Sequence, residues 1–379
     1  MHRARIGPQV SEPFVTSVVN SVWARPGPDG TITDSPEIYN LTWVSKGQMI
    51  TGFNRQVTSR DLATVRADYG SQATGVLTSP YVNATIPPWR DGGIASSPDG
   101  EGPAFNYGVP FHAPFTRTVH YSTEGRLRWQ DEIMEGPGVA YIVSAPTVYQ
   151  PGQHDAQRWN RGVFGPSFSP RNPPYRDRDL IWPLVGLYGD GAGRFGRSYT
   201  ADARTTLTRD GVEIPGSEAE GVVQFSVPAG EGTYRLQIEA DRGAPGTLST
   251  CTSVAWTFRS AYTTTRTALP LSVIRFSLKL NALNTARATG RYAVPVTVTP
   301  LPGSTATAPT TLTVEVSYDD GGSWQPAPLQ RAGDQTIETL QHPNRDGFVS
   351  LRATSIDANG TKVEQTIIRA YRISTELGD

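Results

Sequence analysis

Cysteine is all but missing from this chain of 379 residues: Cys251 stands alone and excludes any internal disulfide. A nucleophilic role for it would need a positioned histidine, and none lies near in sequence. The surrounding run Leu248–Val254 reads as a strand with a small, buried or half-buried thiol. Lysine is almost as scarce, with only Lys46, Lys279 and Lys362; the remaining basic residues are arginine. Charge of one sign is lacking too, since 34 basic residues face 35 acidic ones. That balance excludes the electrostatic footprint of a nucleic-acid or anionic-membrane partner. No apolar run approaches the ~20 residues that cross a bilayer as a helix. The start, Met1 to Ile6, runs into Gly7 and Pro8 rather than an apolar core and cleavage site, so no signal peptide is read there.

What fills the chain instead is turn and strand chemistry. Glycine (38) and proline (31) interrupt helices, one by backbone entropy and the other by its missing donor. Threonine, valine and serine favour strands and turns. The expected class is all-β: tandem β-sandwich domains with long Pro/Gly-rich loops.

Three regions separate on pattern. Residues 1–175 form a β-rich accessory domain, with alternation at Phe14–Val19 and Ile38–Val44 and a long surface loop near 86–114. Within it, residues 58–69, opening with Thr58–Val65, predict a short helix, because Ser59 can cap it and apolar positions fall three apart. Residues 176–265 predict a sandwich, with strands at Ala203–Arg209, Val222–Val227, Thr233–Glu239 and Val254–Phe258, and a tight hairpin at Asp210-Gly211. A Thr-rich linker is expected at 261–270, followed by an immunoglobulin- or fibronectin-III-like sandwich over 271–376.

Catalytic patterns are absent. The histidines are His2, His112, His120, His154 and His342, and none sits in a His-Gly-Thr or His-Glu-x-x-His setting. No Gly-x-Ser-x-Gly elbow occurs. The Gly-rich stretch Gly186–Gly193 lacks the residues that hold phosphate and reads as an inter-strand loop, with Asp190 a minor calcium candidate. One template does match. Ser317-Tyr318-Asp319-Asp320-Gly321-Gly322-Ser323-Trp324 has the Asp-box spacing, a hairpin in which Asp319 bonds loop amides, Gly321 takes a positive φ and Trp324 anchors the strand. It occurs once, whereas sialidase-like propellers repeat it in every blade. A turn is therefore expected rather than a glycosidase, with Asp319 and Asp320 as calcium candidates and Gly360 as the positive-φ residue of the similar turn Asp357–Gly360. Trp89, in the polar loop Ile86–Gly93, is the candidate for a surface aromatic that grips a ligand; the alternative is a plug for its own loop.

Several stretches together resemble the region downstream of the catalytic domain in Streptomyces-type secreted S8 (subtilisin-like) peptidases of actinobacteria. They are Tyr39–Trp43, Gln157–Pro166, Ala203–Leu207, Ala255–Ser260, Leu312–Trp324 and Glu364–Tyr371, in that order along nearly the whole chain. Arg158-Trp159-Asn160-Arg161-Gly162-Val163-Phe164-Gly165-Pro166 and the Asp-box with Gln365–Tyr371 are the most specific. The resemblance implies non-catalytic β-modules of a secreted serine endopeptidase whose triad lies upstream, so no catalytic residue and no cofactor is carried over. The implied partners are that upstream protease domain and a polypeptide substrate or cell-wall polysaccharide, with extracellular localisation through the parent. A fragment, a misplaced start and a decayed relative all fit this reading. The competing expectation is a glycoside-acting or carbohydrate-binding protein, suggested by the Asp-box at 317–324.

Overall fold

A computed structural model describes residues 16–46, 52–85, 103–136, 138–170, 172–215, 223–332 and 335–377. The protein is all-β, with its strands arranged in several sheets; a short 3₁₀ turn at Glu124–Arg126 is the one helical element among the described residues. The chain divides into two compact units: residues 1–69, 75–134 and 143–159, and residues 70–74, 135–142 and 160–379.

In the first unit a five-stranded sheet runs in the order Thr16–Ala24, Glu37–Lys46, Phe115–Ser122, Leu62–Tyr69, His154–Trp159. Its inner face presents Ile38, Val65, Ala67, Val119 and Tyr121, all buried. A second layer is built on Val76–Thr85, which pairs with Pro103–Tyr107 and Phe111–Ala113. Aromatic contacts join the layers: Tyr69 meets Phe111 at 4.4 Å and Tyr121 meets Trp129 at 5.2 Å between ring centroids.

Two expectations change here. The helix predicted from Ser59 onward is instead the strand Leu62–Tyr69, preceded by a turn in which Asp61 accepts from the amide and hydroxyl of Thr58. The alternation Ala63, Val65, Ala67, Tyr69 buries one face, and pairing on both edges overrides the three-residue spacing. The loop expected over 86–114 ends in two strands, since Phe111 is fully buried and its neighbours pair with Val76–Thr78; residues 86–102 lie outside the described set.

The second unit is organised by one nine-stranded sheet. Its main path is Val212–Ile214, Thr200–Arg209, Gly232–Arg242, Cys251–Ser260, Lys362–Ser374, Gly347–Asp357, Pro309–Ser317, Gln325–Ala327, with Thr285–Arg287 beside Lys362–Ser374. The hairpin at Asp210-Gly211 is present, with Gly211 at φ +84° and Arg209 opposite Val212. Two four-stranded sheets supply the facing layers, one built from Tyr175–Arg178, Leu180–Trp182, Phe225–Ser226 and Thr263–Ala268. The other comprises Ser272–Phe276, Gly290–Pro300, Leu329–Ala332 and Gln335–His342. A continuous core runs from Ile181 and Phe225 through Trp256 to Leu351 and Ile367.

The Thr-rich stretch expected as a linker is therefore a strand, and the large sheet continues across it through pairing of Cys251–Ser260 with Lys362–Ser374. Trp256, fully buried, donates its Nε1–H to the Ser272 carbonyl at 2.6 Å, joining the two expected sandwiches at their boundary.

Candidate functional site

The loop after the strand Pro309–Ser317 turns on Asp319. Its Oδ1 accepts from the Ser323 amide at 2.9 Å and the Ser317 hydroxyl at 2.7 Å, and its Oδ2 accepts from the Ser323 hydroxyl at 2.6 Å. These bonds, the Ser323 hydroxyl's first, lower the carboxyl from its ordinary 3.8 to about 2. Gly321 sits at φ +90°, where a Cβ would stand 2.9 Å from Ile368 Cδ1. Asp320 receives a two-pronged bond from Arg369, Nε at 3.0 Å and Nη2 at 2.7 Å. Trp324 is half-buried under the Arg352 guanidinium, 4.7 Å from its ring, and Glu315 holds that guanidinium in turn.

Beside this loop opens a cleft of about 350 Å³ lined by Tyr318, Asp319, Gln325, Gln341, His342 and Arg345 among others. The Tyr318 hydroxyl donates to the Gln341 carbonyl at 3.0 Å, which fixes the ring. His342 donates from Nδ1 to the Arg287 carbonyl at 2.7 Å and accepts at Nε2 from the Tyr371 hydroxyl at 2.9 Å. Burial pushes its pKa down, so the neutral ring is favoured. Gln325, Gln341 and Arg345 are exposed, and their side chains make no hydrogen bond among the described residues.

The other sequence candidates are engaged by the fold. Asp190 is buried; it accepts from the amides of Ala192 and Arg194 and from Arg194 Nη1 at 2.9 Å, so a calcium ion would have to displace a guanidinium. Gly360, at φ +77°, closes a turn in which Asp357 accepts from the amides of Asn359 and Thr361. Cys251 lies in a strand, and burial, with Asp241 alongside, pushes its thiol up to about 12, which keeps it protonated. Trp89 lies outside the described residues. Among the described residues no group of three or more His, Cys, Asp or Glu side chains gathers.

The structure also assembles a cluster that the sequence did not single out. Across the outer face of the five-stranded sheet, register places Trp23, Tyr39, His120, Thr64 and His154 in one row. The Thr64 hydroxyl lies 3.1 Å from His120 Nδ1, and His120 Nε2 lies 3.1 Å from Glu37 Oε1. Glu37 also accepts from the Tyr39 hydroxyl at 2.8 Å, the largest of the causes acting on its carboxyl, which holds it below the ordinary range against the opposing effect of burial. Tyr39 stacks on His120 at 4.3 Å, and Trp23, 53% exposed, meets Tyr39 edge-on at 5.2 Å. Hydroxyl, imidazole and carboxylate in sequence resemble a hydrolase relay, but acyl transfer also needs amides aimed at a developing oxyanion. Glu37–Lys46, Phe115–Ser122 and Leu62–Tyr69 are all interior strands with a paired neighbour on each side, and around Glu37, His120 and Thr64 the backbone is engaged in those ladders. The alternation of Val119-His120-Tyr121 was legible; the register that aligns it with Glu37 and Thr64 was not.

The stretch most specific to the resemblance is structural. Asn160 is buried and donates to the Gly70 carbonyl and to Glu135 Oε2 at 2.6 Å. The Gly162 amide donates to Asn284 Oδ1 at 2.8 Å, and Phe164 is fully buried with its carbonyl accepting from the Ser249 hydroxyl. Glu135, raised by burial, is held by Ser71 and Asn160.

No family model matches the chain, and no curated protein matches it. Among solved structures, it is similar to fibronectin(III)-like modules of Clostridium thermocellum CbhA at 10% identity and TM-score 0.19, covering 48% of this chain and 84% of that one. It is also similar to a chimeric titin Z1Z2-Z1Z2 tandem at 11% identity and TM-score 0.19, covering 52% and 98% respectively. A chimeric titin Z1Z2 overlaps at 15% identity and TM-score 0.16, covering 54% of this chain and 96% of that one.

Proposed function

We propose that this chain is a non-catalytic accessory region of a secreted subtilisin-like endopeptidase, whose β-modules brace the parent protein and hold it to cell-wall polysaccharide. What supports the non-catalytic part is that the candidate side chains read from the sequence, where they lie among the described residues, are engaged by the fold. Asp319 accepts three loop bonds, Asp320 faces Arg369, Asp190 faces Arg194, and His342 is bonded at both nitrogens. The family assignment rests on the stretches Gln157–Pro166, Leu312–Trp324 and Glu364–Tyr371.

Glycoside cleavage is the weaker reading. It needs two carboxyl groups across the scissile bond, one of them protonated near neutral pH. Asp319, lowered to about 2, cannot be that acid, and Asp320 is bound to a guanidinium. The test is direct: the purified chain is incubated with casein and with a fluorophosphonate serine probe. Neither turnover nor labelling is expected; stoichiometric labelling of one serine would overturn the non-catalytic reading.

A further inference from the structure

The geometry points to a specific occupant for the cleft beside Ser317–Trp324: we propose that it binds a neutral saccharide unit of a polysaccharide, an assignment that rests on the adhesive reading above. The cleft's volume of about 350 Å³ falls within the ~300–1,000 Å³ of sites that take small ligands. Its rim carries the groups a ring of hydroxyls needs. The amides of Gln325 and Gln341 each offer donors and an acceptor, and Arg345 offers further donors. All three are uncommitted among the described residues, so a ligand meets them without first breaking a protein hydrogen bond.

Tyr318 forms an aromatic wall whose hydroxyl is already tied to the Gln341 carbonyl, so holding it against a sugar costs little further side-chain entropy. His342 lies buried in the lining with both nitrogens bonded, which makes it wall rather than reagent. Charge selects the ligand class. Asp319 has its oxygens occupied by the loop, Asp320 is matched by Arg369, and among the described residues Arg345 is the one cation lining the cleft. A surface so balanced attracts neither a polyanion nor a polycation, while hydroxyl groups satisfy its amides.

The experiment measures depletion of the full chain from solution by insoluble chitin, cellulose, xylan and bacterial cell-wall sacculi, with denatured casein on beads as the polypeptide arm. Wild type is compared with Gln341→Ala, Arg345→Ala and Trp23→Ala. Retention by at least one polysaccharide is expected, weakened roughly tenfold by Gln341→Ala and by Arg345→Ala, the scale of one or two lost hydrogen bonds. Both positions are exposed, so melting temperatures should match wild type, and Trp23→Ala should bind normally. Undiminished binding by both cleft variants overturns the cleft while leaving the adhesive reading standing. Loss confined to Trp23→Ala moves the site to the outer face of the five-stranded sheet. Failure of wild type on every polysaccharide removes the adhesive reading itself, and retention on casein alone replaces the saccharide with a polypeptide.

Discussion

Gly321 shows how a single position carries the Asp-box turn. Valine there would be forced to a φ of +90° and would press its Cβ to 2.9 Å from Ile368 Cδ1. Gly321→Val should cost roughly 1–3 kcal/mol from backbone strain alone, read as a lowered urea midpoint with an unchanged slope. Asp319 should reveal itself through pH. Its folded value of about 2 lies below the ordinary 3.8, so the carboxylate's contribution is intact above about pH 4 and is lost as pH falls toward 2. Asp319→Asn should therefore melt lower than wild type at pH 7, with the gap closing by pH 2. Millimolar calcium should leave the melting temperature unchanged, because Asp319 and Asp320 already have donors in place; a rise of several degrees would make the loop a metal site.

His342 obeys the same linkage from the basic side. Burial holds its folded pKa below 6.5, so its stabilisation is complete above pH 6.5 and declines as pH falls through the folded value, where the unfolded chain binds the extra proton. Between pH 7 and pH 5 wild type should lose more melting temperature than His342→Gln, as measured by circular dichroism.

At the scale of elements, the segment Thr263–Ala268 decides how the C-terminal half behaves. It is largely exposed yet pairs with Tyr175–Arg178, while Cys251–Ser260 just before it pairs with Lys362–Ser374. Cleavage at Thr264–Arg266 should leave the two fragments together in gel filtration until denaturant is added. An isolated 271–376 fragment should lack a cooperative melt, because it loses the neighbouring strand and the Trp256 indole that bonds the Ser272 carbonyl. A cooperatively folding fragment would restore the independent sandwich that the turn spacing suggested. That spacing located the strands well: Thr233–Glu239, Val254–Phe258 and the Asp210-Gly211 hairpin all lie where alternation and turn chemistry put them. It misread residues 58–69 because apolar residues three apart and apolar residues two apart overlap in Leu62-Ala63-Thr64-Val65, and only pairing with two neighbours separates the outcomes.

For the whole molecule, two compact units imply two separable responses. Trp129 is buried in the first, its Nε1–H donated to the Ser122 carbonyl at 2.8 Å, and Trp256 is buried in the second. Each tryptophan-to-alanine change should cost about 3–5 kcal/mol and should lower one calorimetric transition while sparing the other. Equal shifts of both transitions by either change would mean that the units unfold as one.

The amino-acid sequence by itself determined the β class, the positions of most strands and the turn at Ser317–Trp324, because alternation, Gly and Pro placement and Asx chemistry act over a few residues. Its near-neutral charge and missing motifs also set the terms on which any function is proposed. Tertiary structure decided which strands neighbour which. The nine-stranded sheet brings Cys251–Ser260 against Lys362–Ser374 across a separation of about a hundred residues, and no local pattern encodes a partner so distant in the chain. The same holds for the row Trp23, Tyr39, His120, Thr64, His154, and for the cleft where Gln341 meets Tyr318. Sites made of side chains from separate strands exist only once register is set, and a shift of one residue would turn every one of them to the opposite face.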